Sequence, residues 1–155
     1  MIPLETDTSF LDHSKLLCDS YFKWIGEPLL ENHNHNLVRL SEALYQAPFV
    51  VVSHGIEADP IFNYANLKAQ ELWKMSWDKF TTLPSSHSAE PVNREVRQQI
   101  MKEVESHGHI KDYNGIRITS DGLRFRIRNT VIWNVVNDNG KYLGQAATFK
   151  EWDWL

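Results

Sequence analysis

The sequence predicts an α+β domain: a five-stranded antiparallel sheet, short helices over one face, and an N-terminal helical extension. Three observations carry this. Residues 123–136 alternate with period two, Leu123, Phe125, Ile127, Asn129, Val131, Trp133 and Val135 against Arg124, Arg126 and Arg128. Turn dipeptides flank that stretch, Asp121-Gly122 before it and Asn139-Gly140 after it, and both supply the positive φ of tight hairpins. Upstream, the apolar residues recur at helical spacing instead. Three consecutive antiparallel strands follow, at about 109–119, 123–136 and 141–149.

The earlier elements are justified in turn. Residues 9–25 form an amphipathic helix through Phe10, Leu17, Tyr21 and Ile25. Asp7, Thr8 or Ser9 caps it and Gly26 stops it, with Pro28 just beyond. A polar stretch, Asn32 to Asn36, links it to a short helix at 37–46. His33 and His35 sit in that linker without a third ligand nearby, so no metal site is assigned. Residues 47–55 make a buried strand on Phe49-Val50-Val51-Val52, and Ile61 to Tyr64 return as its hairpin partner. Asn66 caps a short helix carrying Leu72 and Trp73, and residues 76–80 begin another helical turn. Pro91 opens a longer helix with Val92, Val96, Ile100 and Val104 every four residues, and Gly108 ends it. The domain is placed at 37–155 and the helical extension at 1–36.

Composition narrows the function. A hydrophobic content of 42% across 155 residues supports an ordered core. The net charge of −4, without a basic run, argues against nucleic acid as a partner. The single cysteine, Cys18, excludes an internal disulfide and a cysteine metal cluster, and suits a reducing cytosol. No apolar run reaches membrane-spanning length, and the first residues carry no secretory pattern. The expected location is cytoplasmic.

Several segments resemble a known family: APFVVVSHGIEADPIFNYAN at 47–66, ELWKMSWDKFTTLPSSHSAEPVNREVR at 71–97, GIRITSDGLRFRI at 115–127, Val131-Ile132-Trp133-Asn134, and GQAATFKEW at 144–152. With Trp24-Ile25-Gly26 they cover nearly the whole chain, which resembles the single-domain bacterial members of the MEKHLA family, related to PAS domains. The resemblance implies a PAS-like sensor or ligand-binding module and brings no set of catalytic residues. Flavin photoreceptors of that fold use a cysteine on a short helix after the hairpin. Cys18 lies upstream of the sheet, so covalent flavin is not expected. Haem is not expected either, because the long helix offers no axial histidine before His107 and His87 lies in the loop ahead of it.

A PAS-like fold encloses a small pocket, and the polar and aromatic residues near it are His54, Asn63, Asn66, Trp73, Trp77, Asn129, Trp133 and Gln145. Each also has a structural alternative. Asn129 interrupts an apolar row and is either a pocket amide or a satisfied core or β-bulge residue. His54 either contacts a guest or bonds a loop carbonyl. Asn66 doubles as a helix cap, and Trp73 and Trp77 share a helix face if the turn continues. Arg117, Arg124, Arg126 and Arg128 form a positive ladder on the sheet's other face, which is either solvated or salt-bridged, against Asp112, Glu151 or Asp153, or a docking surface for an acidic partner or the N-terminal helix.

Three readings compete. One is a small-molecule-binding, sensory module without an output domain on its own chain, signalling through a protein partner or homodimer. Another is a small enzyme with His54 as acid/base, oriented by Glu57 or Asp59. The last is a structural dimerisation domain. Neither a catalytic residue nor the identity of the ligand follows from the sequence.

Overall fold

In the computed structural model, residues 7–31 and 36–155 are described, and His33 and His35 lie outside them. Asp7 accepts the Phe10 N–H and starts α1, Thr8–Ile25; Gly26 closes it in the left-handed conformation at φ 81°. Asn36 caps α2, Leu37–Tyr45. The hairpin of β1, Val50–His54, and β2, Phe62–Ala65, comes next. Two short helices follow, α3 at Leu67–Trp73 and α4 at Trp77–Phe80. Lys74 breaks them apart with φ 58°, so Trp73 and Trp77 do not share a face. A 3-10 turn at Ser85–Ser88 leads into α5, Pro91–His107. The remaining strands are β3, His109–Ile118; β4, Arg124–Val136; β5, Tyr142–Phe149; and β6, Glu151–Trp154.

All pairings are antiparallel, in the order β2-β1-β5-β4-β3, with β6 as a sixth strand beside the first half of β4. The sequence reading ran the last strand to 149 and missed β6. The cause is at Asn129, which sits at φ 53° and bulges β4. The partner strand breaks at Lys150, opposite this bulge, so β5 pairs with Val131–Val136 and β6 with Phe125–Arg128. A compensating irregularity at Asp112, φ 58°, keeps β3 in register.

The bulge also reverses the alternation. Before it, Phe125 and Ile127 face α3; after it, Thr130 and Ile132 hold that face, and Trp133 and Val135 face α1. Both sheet faces are therefore covered along the second half of β4, which is buried almost throughout. The short helices lie over one face, and α1 and α2 close the other, with Leu17, Leu44, Tyr64 and Trp133 in one cluster. Ser20 clips α1 to β4, its Oγ donating to the Val136 carbonyl and accepting the Val136 N–H, both at 2.9 Å. His13 Nε2 lies 2.9 Å from Ser53 Oγ on β1.

The long helix is rotated from its expected setting. Val92 and Val96 are 81% and 60% exposed, while Arg97 and Val104 are buried. The four-residue valine row is thus largely a surface feature, and an arginine occupies the inward stripe.

Asn66 is fully buried and ties three elements together. Its Oδ1 accepts the Val51 and Ala69 N–H groups, and its Nδ2 donates to the carbonyls of Leu44 and Phe49. Asn66→Ala should cost about 3 kcal/mol, because four buried backbone groups lose their partner; a urea-midpoint change equivalent to less than about 1 kcal/mol would show that water replaces the amide. A buried imidazole, His54, and a half-buried one, His13, set the acid limit. Loss of water holds both His13 and His54 down to about 4. The unfolded chain then binds protons that the folded chain refuses, so stability is complete above about pH 6.5 and falls toward pH 4. Thermal scans across that window should show a smaller decline for His13→Gln and His54→Gln than for the parent; parallel declines would assign the acid sensitivity elsewhere.

Candidate ligand site

On the α5 side of the sheet, the strands and helices line a half-open chamber of about 40 Å³. Its floor is β1, β4 and β5, through Val52, Ile132 and Ala147; Trp73 closes one end and α5 forms a wall with Arg97 and Met101. An outer cleft of about 500 Å³ adjoins it and shares His54, Arg97, Met101 and Gln145 with the inner chamber. Those four side chains are the boundary between inside and outside.

The boundary is held by the backbone. Gly144 has φ 140°, and a Cβ there would stand 2.0 Å from the His54 carbonyl oxygen, so only glycine lets β5 approach β1 this closely. That approach sets His54 opposite Gln145. Gln145 Nε2 donates to the Met101 carbonyl at 2.7 Å, fastening the sheet to α5. Asn134 Nδ2 does the same to the Glu105 carbonyl at 3.1 Å. His54 Nδ1 lies 3.0 Å from the Gly55 carbonyl. Glu57 instead accepts the Ile61 N–H, so a backbone carbonyl and not a carboxylate orients the ring. The acid/base arrangement with Glu57 or Asp59 as orienter is not assembled.

Of the anticipated pocket residues, His54, Trp73 and Gln145 line the chamber. The others stand elsewhere. Trp133 is buried on the far face, edge-on to Tyr21 with ring centres 5.0 Å apart, because the bulge turned it there. Asn129 itself is exposed at the bulge and donates to Glu151 Oε1 at 3.2 Å. Asn63 is exposed and accepts the Ser53 hydroxyl at 2.5 Å, beside His13. Asn66 is consumed as a cap, and Trp77 packs with Phe10, Tyr45 and Tyr64 on the α1 side.

The arginine ladder is also corrected. Arg117 pairs in register with Phe125 and therefore points inward, 6% exposed, into the chamber. Arg124, Arg126 and Arg128 stay on the outer face. Arg124 pairs with Glu90 at 3.7 Å, and Arg128 with Asp153 at 2.8 Å and Glu151 at 3.6 Å. That half of the face is beyond the reach of α1.

Sequence reasoning missed Arg97 and Thr130. The helical offsets of Arg97, Met101 and Val104 were available, but the valine row masked them. Thr130 could be found only by recognising that an asparagine inside a strand marks a reversal of faces. Arg97 is 9% exposed, and burial followed by the nearby Arg117 charge lowers its guanidinium to about 9. Among the described residues, Trp73 Nε1, Arg97 Nε and Thr130 Oγ1 are buried without hydrogen-bond partners, and all three residues line the chamber.

Cys18 belongs to α1 and packs across the sheet from this chamber, with its thiol pushed up to about 12 by burial. The chain's one cysteine therefore cannot reach a guest there. Among the described residues, no three histidine, cysteine or acidic side chains converge on a metal position, and no helix is long and apolar enough to cross a membrane.

The fold is shared with solved PAS structures. A PAS domain from Colwellia psychrerythraea is 15% identical, with TM-score 0.62, covering 70% of this chain and 89% of that one. An RNA-binding light-oxygen-voltage receptor is 13% identical, with TM-score 0.65, covering 79% of this chain but 35% of the receptor. A light-oxygen-voltage domain described with a flavin analogue is 14% identical, with TM-score 0.60, covering 75% of this chain and 84% of that one. Such identities establish a common architecture alone. No curated protein matches the chain. The MEKHLA domain model matches residues 11–154, including α1 and β6 as well as the sheet around the chamber, and the chain belongs to the MEKHLA domain family.

Proposed function

We propose that this chain is a small-molecule-binding sensory module whose guest occupies the chamber between the sheet and α5. The observation that carries the reading is the set of three unpartnered polar atoms, on Trp73, Arg97 and Thr130, around one cavity. Buried polar groups are ordinarily satisfied, and leaving each one bare costs about 1–3 kcal/mol. A guest that supplies their partners recovers that cost. Occupancy has a mechanical route outward. Met101 and Glu105 of α5 are fastened to Gln145 and Asn134 by single hydrogen bonds, so a guest competing for Gln145 loosens or resets the helix. A protein partner or a second copy then reads the position of α5.

Native mass spectrometry of protein purified from its own host should show a retained small molecule. Ala147→Leu fills part of the chamber from its floor. It should release that mass at an overpacking cost of about 1–3 kcal/mol. Retention of the same mass by a folded Ala147→Leu protein would place the guest elsewhere, and its absence from the parent would count against the sensory reading.

A further inference from the structure

We infer that the guest is a small organic carboxylate, its carboxylate group held between the guanidinium groups of Arg97 and Arg117. This rests on the ligand-binding reading and specifies its chemistry.

The argument is one of charge and donor count. Arg97 comes from α5 and Arg117 from β3, and both reach the same chamber. Among the described residues, neither has a carboxylate within ion-pair distance. Asp59, in the outer cleft, acts on Arg97 only through space. Arg117 donates to the Ile116 carbonyl at 2.9 Å and to the Tyr113 hydroxyl at 3.4 Å and lies over the Tyr113 ring at 5.6 Å, which leaves it without a counter-anion. Of the outer arginines of β4, Arg124 pairs with Glu90 and Arg128 with Glu151 and Asp153, whereas among the described residues the two buried arginines have no such counter-charge. Two like charges in one apolar enclosure are costly unless an anion joins them.

The other unpartnered atoms of the chamber point the same way. Trp73 Nε1 is a donor only, and the Thr130 hydroxyl can donate. His54 is neutral near pH 7, so no third cation competes. The complement is compact, anionic and rich in acceptors. A guanidinium fork matches a planar carboxylate in a bidentate pair. A chamber of about 40 Å³ admits a head group of a few atoms, since one water needs about 10–15 Å³ of such space. Any longer tail passes His54 and Gln145 into the outer cleft.

Isothermal titration of the full chain tests this. The probes are sodium acetate and sodium butyrate, acetamide and butyramide as neutral isosteres, and sodium sulfate and sodium phosphate at matched ionic strength. The carboxylates should bind and the amides should not. R97M and R117M should each weaken carboxylate binding by about tenfold or more. Removing an unpaired buried cation should not unfold the protein, and R97K and R117K guard against loss of fold by keeping charge without the fork. Amides binding as tightly as carboxylates would overturn the carboxylate while leaving a guest-filled chamber. Binding of sulfate or phosphate alone would replace it with a tetrahedral anion. A guest retained on native mass spectrometry, with no probe binding, would overturn it in the same way. No probe binding and no retained guest would remove both this inference and the sensory reading beneath it.

Discussion

The structure depends on one residue adopting the left-handed conformation inside a strand. Asn129, at φ 53°, lets β4 change faces midway. Asparagine tolerates that conformation better than most side chains, and its own amide is secured by Glu151 while Asn114 accepts its N–H. Without the reversal, Trp133 would point at α5 and fill the chamber, and Ile132 would face α1. With it, the largest aromatic of the strand becomes the anchor for the N-terminal helix. The smaller Thr130 and Ile132 leave room beneath α5. The cavity is in this sense a by-product of where the strand turns over.

That turnover also divides the charged residues into two populations. Arg124, Arg126 and Arg128 precede the bulge and face outward, Arg124 and Arg128 with acidic partners. Arg117 lies opposite Phe125 on the antiparallel partner and is carried inside. Arg97 arrives from the helix above. Exposed ion pairs of the first kind contribute roughly 0–1 kcal/mol each and need no functional account. Buried, unpaired guanidiniums work against folding, so their presence together at one cavity is the stronger sign of a role beyond stability.

Much of this architecture was legible in the sequence because local rules govern it. Period-two alternation, the Asp121-Gly122 and Asn139-Gly140 turns, the Asn66 cap and Pro91 at a helix start all act within a few residues. The pocket was less legible because it depends on two rotations that local pattern does not encode. One is the reversal at Asn129, which carried Trp133 out of the predicted site and brought Thr130 in. The other is the setting of α5, where tertiary contact favoured Arg97, Met101 and Val104 over a more regular valine row. His54 and Gln145 were found because a strand end beside glycine and a polar residue on a buried strand are each visible alone. Arg117 was seen, but assigned to the wrong face, because strand parity alone does not fix which face of a neighbouring strand is buried.

On the ligand-binding proposal, α5 is the element best placed to respond. It is joined to the sheet largely through polar fasteners at Gln145 and Asn134, and it buries only one fully apolar side chain, Val104. The opposite face is secured by a continuous aromatic and aliphatic cluster between α1, α2 and the sheet. Apolar packing of that density resists small displacements, whereas hydrogen bonds at the edge of a cavity exchange readily with a guest or with water. On the ligand-binding proposal, a change in the chamber would reach the weakly held helix before the strongly held one. With Val92 and Val96 on its outer surface, α5 also has an apolar face by which a partner could sense such a shift. The tightly packed side of the molecule holds the sheet, and on the ligand-binding proposal the polar-fastened side would move with the chamber's contents.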